Sequence, residues 1–184
     1  MRKALALGTL SLAAAGAVFA SPASALPLPG LGDTTVTFVA GTPGGLSILP
    51  PPLVVGVPVG NAVTGVMTSV VTDLRLAGGG WTDTVSASNF NLVGALEPSG
   101  DSSIPASAAK IYTTSVSVAI PGTATISNVH SDLLSALPLS NTGQELLHAT
   151  TSNINVTTLL STFSIDTTGK ALGAYTGTIT QTVS

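Results

Sequence analysis

The chain has 184 residues, and Leu26 to Ser184, the part beyond an expected N-terminal signal, suffices for one domain burying roughly 70% of its unfolded surface. Hydrophobic residues make up 44% and charged residues 7%, with a formal net charge of -3. That balance excludes disorder and leaves no basic footprint for nucleic acid or anionic lipid. There is no cysteine, so disulfides, thiol catalysis and cysteine-type zinc sites drop out.

Met1-Arg2-Lys3 is a basic n-region, Ala4 to Ala20 an uncharged apolar run, and Ser21-Pro22-Ala23-Ser24-Ala25 supplies the small residues of a processing site. That order predicts a secretory signal peptide over 1–25, cut before Leu26, with a second candidate cut after Ala20. A secreted chain with no membrane contact after cleavage is expected. Residues 26–33 are a Pro/Gly-rich leader, and 34–184 are expected to form a single β-sandwich domain. Thr34 to Ala40 alternates as a first strand. Gly41 to Gly60 is a proline-punctuated connector whose pieces, Leu46-Ser47-Ile48 and Leu53 to Val57, belong at a sheet edge, because proline cannot donate to a ladder.

Ala62 to Leu76 is the clearest long strand. Val66, Thr68, Val70, Thr72, Leu74 and Leu76 share one face; Met67, Ser69, Val71, Asp73 and Arg75 share the other. Both charges lie on the second, so the first is expected to be buried. Gly78-Gly79-Gly80 then predicts a turn and a hairpin with Trp81 to Phe90. Asn91 to Ser103 reads as a loop. In Lys110 to Ala119 the set Tyr112, Thr114, Val116 and Val118 is expected inside. Thr123 to Val129 is a candidate short strand. Ser131 to Thr150 alone has helical colour, with Ser131 or Asp132 as cap, Pro138 as breaker and a turn at Gln144 to His148. Asn155 to Ile165 and Tyr175 to Val183 are strands, with a turn at Thr167 to Lys170 and Gly173 opening a last hairpin arm. Strands at about ten-residue spacing predict an all-β, antiparallel sandwich of immunoglobulin-like kind with at most a short helical turn.

The order of Val71-Thr72-Asp73-Leu74-Arg75, Gly80-Trp81-Thr82-Asp83-Thr84-Val85-Ser86, Ile104-Pro105-Ala106-Ser107 and Gly173-Ala174-Tyr175-Thr176-Gly177-Thr178-Ile179-Thr180-Gln181-Thr182-Val183 resembles the WxL domain of Gram-positive bacterial surface proteins. The likeness spans most of the chain beyond the signal. It implies a β-rich exported protein held non-covalently at the cell wall, with peptidoglycan as ligand. The chain departs from the family at its naming motifs. The first ends in Asp83 where the family has leucine, and the second begins with Gln181 where the family has tryptophan.

The candidate ligand-binding residues are Trp81, Asp83 and Tyr175. Trp81 and Tyr175 could offer an aromatic platform to sugar rings; alternatively Trp81 anchors the core, which the scarcity of aromatics favours. Asp83 is expected at a sheet rim, since a buried carboxylate without a partner costs several kcal/mol, with Arg75 as a conceivable partner. No catalytic, cofactor or metal set is expected. There is no G-x-S-x-G elbow, and Gly100-Asp101-Ser102 lacks its Asp-x-x-His companion. His130 and His148 are the only histidines, and Glu145 with His148 supplies two ligands where a zinc site needs more. Paired carboxylates for glycan hydrolysis remain the weakest of the readings. The expected function is a non-enzymatic cell-wall-associated binding or surface module. The alternative is a structural or adhesin-like subunit that meets other surface proteins through strand edges.

Overall fold

A computed structural model describes residues 34–39, 45–49, 58–59, 61–76, 79–93, 101–119, 122–171 and 174–184. The expected signal and leader, the segment Leu53 to Val57 and the turn glycine Gly78 lie outside these residues. The strands are β1 (Thr34–Val39), β2 (Leu46–Leu49), β3 (Pro58–Val59), β4 (Ala62–Asp73), β5 (Trp81–Ala87), β6 (Phe90–Val93), β7 (Ser103–Ile104), β8 (Ala109–Ala119), β9 (Thr123–Ser127), β10 (Leu137–Pro138), β11 (Gln144–Asn153), β12 (Asn155–Asp166) and β13 (Ala174–Val183). A single 3-10 turn, Ala106–Ala108, is the helical content among the described residues. The all-β expectation holds, and the strands form two sheets facing each other.

The first sheet has seven strands in the order β7-β6-β13-β5-β11-β9, with β1 alongside β13; the second has six, in the order β10-β8-β12-β4-β2, with β3 alongside β4. Pairing is antiparallel except for β1, which runs parallel to β13 from Thr34 opposite Gly177 to Val39 opposite Thr182. β2, which contains Leu46-Ser47-Ile48, does lie at the edge of its sheet, and β3 pairs with the same strand, β4, through Pro58 and Val59.

Two expected hairpins are absent. β4 and β5 belong to different sheets, as do β12 and β13. The glycine turn and the Thr167–Lys170 turn therefore carry the chain from one layer to the other. Nothing in strand periodicity distinguishes such a crossing from a hairpin. The first crossing needs close backbone approach, since a Cβ on Gly80 would overlap the carbonyl oxygen of Ala149; Gly122, where the chain passes from β8 to β9 in the other sheet, is held as closely against that of Ile154.

The buried face of β4 is the opposite of the one expected. Met67, Ser69, Val71 and Asp73 are buried, while Val66 and Leu74 are exposed. The charges misled because Arg75 lies beyond the end of β4 and folds back onto Asp73, donating from Nε at 2.8 Å and from Nη2 at 2.9 Å. In β8 the strict alternation breaks at a register shift opposite Leu160/Ser161. Ile111 and Thr113 face inward before it, and Val116 packs against the core after it, so each half of the strand buries a different parity. The expected helical region contains no helix. Asp132 Oδ1 accepts from the backbone N–H groups of Leu134 and Ser135, which makes a turn. Gln144 to His148 opens β11, and the expected loop at Asn91 begins inside β6.

Candidate functional site

The interior is two apolar clusters separated by polar side chains. One cluster includes Met67, Val85, Phe90, Ile111, Phe163 and Ile179. The other includes Val71, Trp81, Leu147, Leu159 and Val183. Four of the strands that contribute to both clusters carry a buried polar residue at the inward position between them. These are Ser69 between Met67 and Val71, Asp83 between Trp81 and Val85, Ser161 between Leu159 and Phe163, and Gln181 between Ile179 and Val183. Thr113 on β8 stands opposite Ser161 and shares a 3.0 Å hydrogen bond with it. The result is a polar belt across the middle of the sandwich.

Within the belt, Ser69 Oγ donates to Gln181 Oε1 at 2.6 Å, joining β4 of one sheet to β13 of the other. Gln181 Nε2 donates to Asp83 Oδ2 at 2.6 Å. Asp83 Oδ1 has no partner among the described residues. Burial pushes the Asp83 carboxyl up to about 8, against a smaller opposing effect of the Gln181 hydrogen bond. Asp83 is therefore a neutral acid at pH 7. This corrects the rim placement and the Arg75 partnership: desolvation is borne by protonation instead of by exposure or an ion pair. Asp83 and Gln181 are thus bonded to each other.

Trp81 and Tyr175 are 2% and 8% exposed and belong to different apolar clusters. They form no joint platform, and neither ring presents a face to a sugar. Tyr175 Oη donates to the carbonyl of Ala171 at 2.7 Å, with Asp101 O at 3.2 Å. Gly177, two positions along β13, leaves room for the Phe90 ring, which a Cβ there would overlap.

A second network closes one end of the sandwich. Asp73 receives Arg75 and the Ser152 hydroxyl at 2.6 Å; Asn155 Nδ2 donates to Ser152 Oγ at 2.7 Å, and Thr157 Oγ1 to Asn155 Oδ1 at 2.9 Å. The Arg75 hydrogen bond, above all, lowers the Asp73 carboxyl to about 2. Arg75 also donates to Gly80 O at 3.0 Å, tying down the turn between the layers.

The outer face of the seven-stranded sheet is a ladder of hydroxyls. Ser86 stands opposite Thr180 and Thr84 opposite Thr182, with Thr176 and Thr178 continuing along β13. Glu145 and His148 border the ladder opposite Thr84 and Thr82. A bulge explains their meeting. Leu146 and Leu147 are both buried, so residues three apart emerge on one side of a strand, and His148 Nδ1 lies 2.5 Å from Glu145 Oε1. The sequence pairing of Glu145 and His148 was right in proximity and wrong in its helical reason. Among the described residues no three His, Cys, Asp or Glu side chains gather at metal-binding distance. His130 Nδ1 instead meets the carbonyl of Ser135. The hydroxyl ladder and the belt escaped the sequence reading because both depend on which strands are neighbours. Alternating threonine along β13 was the available signal for the ladder.

Comparison of the chain with protein-family models, with curated proteins and with solved structures finds no match in any of the three.

Proposed function

We propose that the chain is an exported, non-enzymatic β-sandwich module that associates non-covalently with a cell-wall polymer, peptidoglycan, through its hydroxyl-bearing outer surface. The observation that carries this reading is the ladder on the seven-stranded sheet: Thr84 and Ser86 on β5 opposite Thr182 and Thr180 on β13, with Thr82 and Thr178 extending it along each strand, all partly exposed. Threonine and serine hydroxyls both donate and accept, which suits the hydroxyls and amides of a glycan-peptide mesh. Glu145 and His148 at the border add an acceptor and a ring donor. The export half of the reading rests on the order of regions within 1–25. The experiment is co-sedimentation of the signal-free chain with purified peptidoglycan at low and high salt. The chain is expected in the pellet at both, with Thr84→Val/Thr182→Val shifting it to the supernatant. Recovery of the unmodified chain in the supernatant at both salts removes the reading.

A second reading, assembly with other surface proteins through strand edges, is favoured by β9. It is the last strand of its sheet, and Thr123 and Thr125 on it are exposed without a charge to guard the edge. Concentration-dependent oligomers abolished by Thr125→Pro would favour it over the first; a monomer at all concentrations removes it.

A further inference from the structure

The belt places a hydroxyl, a carboxamide and a carboxylic acid in a row, sealed between two sheets. Ser69, Gln181 and Asp83 are all fully buried. Ser69 Oγ and Asp83 Oδ2 approach opposite ends of one carboxamide, the oxygen and the nitrogen, each at 2.6 Å. An ordinary buried hydrogen-bond chain satisfies its carboxyl, yet Asp83 Oδ1 is left without a partner among the described residues.

We propose that Ser69 and Gln181 form an intramolecular ester cross-link between the two sheets, with Asp83 as its acid catalyst. Ser69 Oγ attacks the Gln181 side-chain carbonyl carbon, and its proton passes to Oε1 along the existing hydrogen bond. At rest Nε2 donates to Asp83 Oδ2; once attack makes the nitrogen tetrahedral, its lone pair turns to the protonated carboxyl, which delivers its proton to Nε2, the carbon–nitrogen bond breaks, and ammonia leaves. The proton on Oε1 then passes to the Asp83 carboxylate as the carbonyl re-forms. One O–C bond forms, one C–N bond breaks, and the catalyst is restored with no oxidant or co-reactant. Asp83 is suited to this because burial keeps it protonated at neutral pH. Fixing nucleophile and carbonyl together supplies an effective concentration that in well-oriented pairs reaches about 10⁵ M or more. The dry interior then shields the ester from hydrolysis. In a chain without cysteine, such a bond would be a covalent staple joining β4 in one layer to β13 in the other.

Mass spectrometry of the purified, folded full chain tests this. The expected mass is below the sequence mass by one ammonia, about 17 Da. After denaturation and trypsin, the fragment ending at Arg75 and the fragment 171–184 should travel as one species that hydroxylamine splits. Ser69→Ala and Asp83→Asn should each yield the full mass and two separate fragments; circular dichroism confirms that the compared chains are folded. An unlinked pair of fragments from the folded, unmodified chain after prolonged incubation overturns the cross-link. Linkage retained in Asp83→Asn overturns the role of Asp83. Neither outcome depends on the wall-binding reading.

Discussion

Asp83 should make this protein less stable as pH rises through neutrality. An acid whose folded-state value is raised, from 3.8 to about 8, holds a proton in the native state that the unfolded chain has lost over that interval. Unfolding then releases a proton, and stability falls with rising pH by up to about 1.4 kcal/mol per unit. The contribution is complete below the unfolded value and lost by the time pH passes the folded value. From pH 5 to pH 7 the loss is about 3 kcal/mol, a large share of the 5–15 kcal/mol typical of a domain. Asp73 acts in the opposite sense, but in a separate window, since its lowered value of about 2 confines its effect to acid below the ordinary carboxylate range. The assay is urea unfolding at pH 5, 6, 7 and 8 for the unmodified chain and for Asp83→Asn, which keeps the shape and removes the titration. Comparing slopes instead of absolute stabilities cancels any covalent staple between the layers. The unmodified chain should lose stability steadily and the variant should show that loss abolished. Parallel pH profiles for the two proteins would refute the buried neutral acid.

Arg75→Ala should cost about 2 kcal/mol by stripping charge-assisted hydrogen bonds from buried Asp73, and should raise the pH at which acid unfolds the chain, as followed by circular dichroism. Met67→Lys should prevent folding, whereas Val66→Lys, one residue away and on the outer face, should change the unfolding midpoint by less than about 0.5 kcal/mol; equal effects would reverse the assigned face of β4. Trp81→Ala should destabilise by about 3–5 kcal/mol in denaturant titration, the ordinary consequence of emptying a large core site. Gly177→Val should destabilise by about 1–3 kcal/mol or more, because its side chain meets the Phe90 ring, and Phe90→Ala should partly rescue it.

Strand existence was largely legible from β-branched alternation. The last strand, expected over Tyr175 to Val183, runs Ala174–Val183, and the one expected over Asn155 to Ile165 runs Asn155–Asp166. What alternation could not supply was the layer to which each strand belongs. The turn after β4 and the turn after β12 look like hairpin turns and are crossings between sheets. Bulges were equally hidden: one extra residue in β8 exchanges the inward and outward sets, and the bulge at Leu146 and Leu147 turns what resembled a helical pair into a strand pair. The site was misread for a different reason. Charges on a strand face suggest that the face is wet, but Asp73 is neutralised by Arg75, which shares its face and folds back from beyond the strand end, and Asp83 is neutralised by its own proton. Counting charges face by face registers neither the ion pair nor the proton.

Trp81 is the one tryptophan in the chain, so its emission reports a single buried position. The most direct test of a module that holds its ligand on outer hydroxyls is to titrate soluble peptidoglycan fragments while following Trp81 emission and acrylamide quenching, with sedimentation recording binding in parallel. Binding with unchanged, quencher-resistant Trp81 emission is the predicted result. Emission that shifts as the glycan binds would put the aromatic ring at the contact and contradict a ligand held on the outside of the sheets.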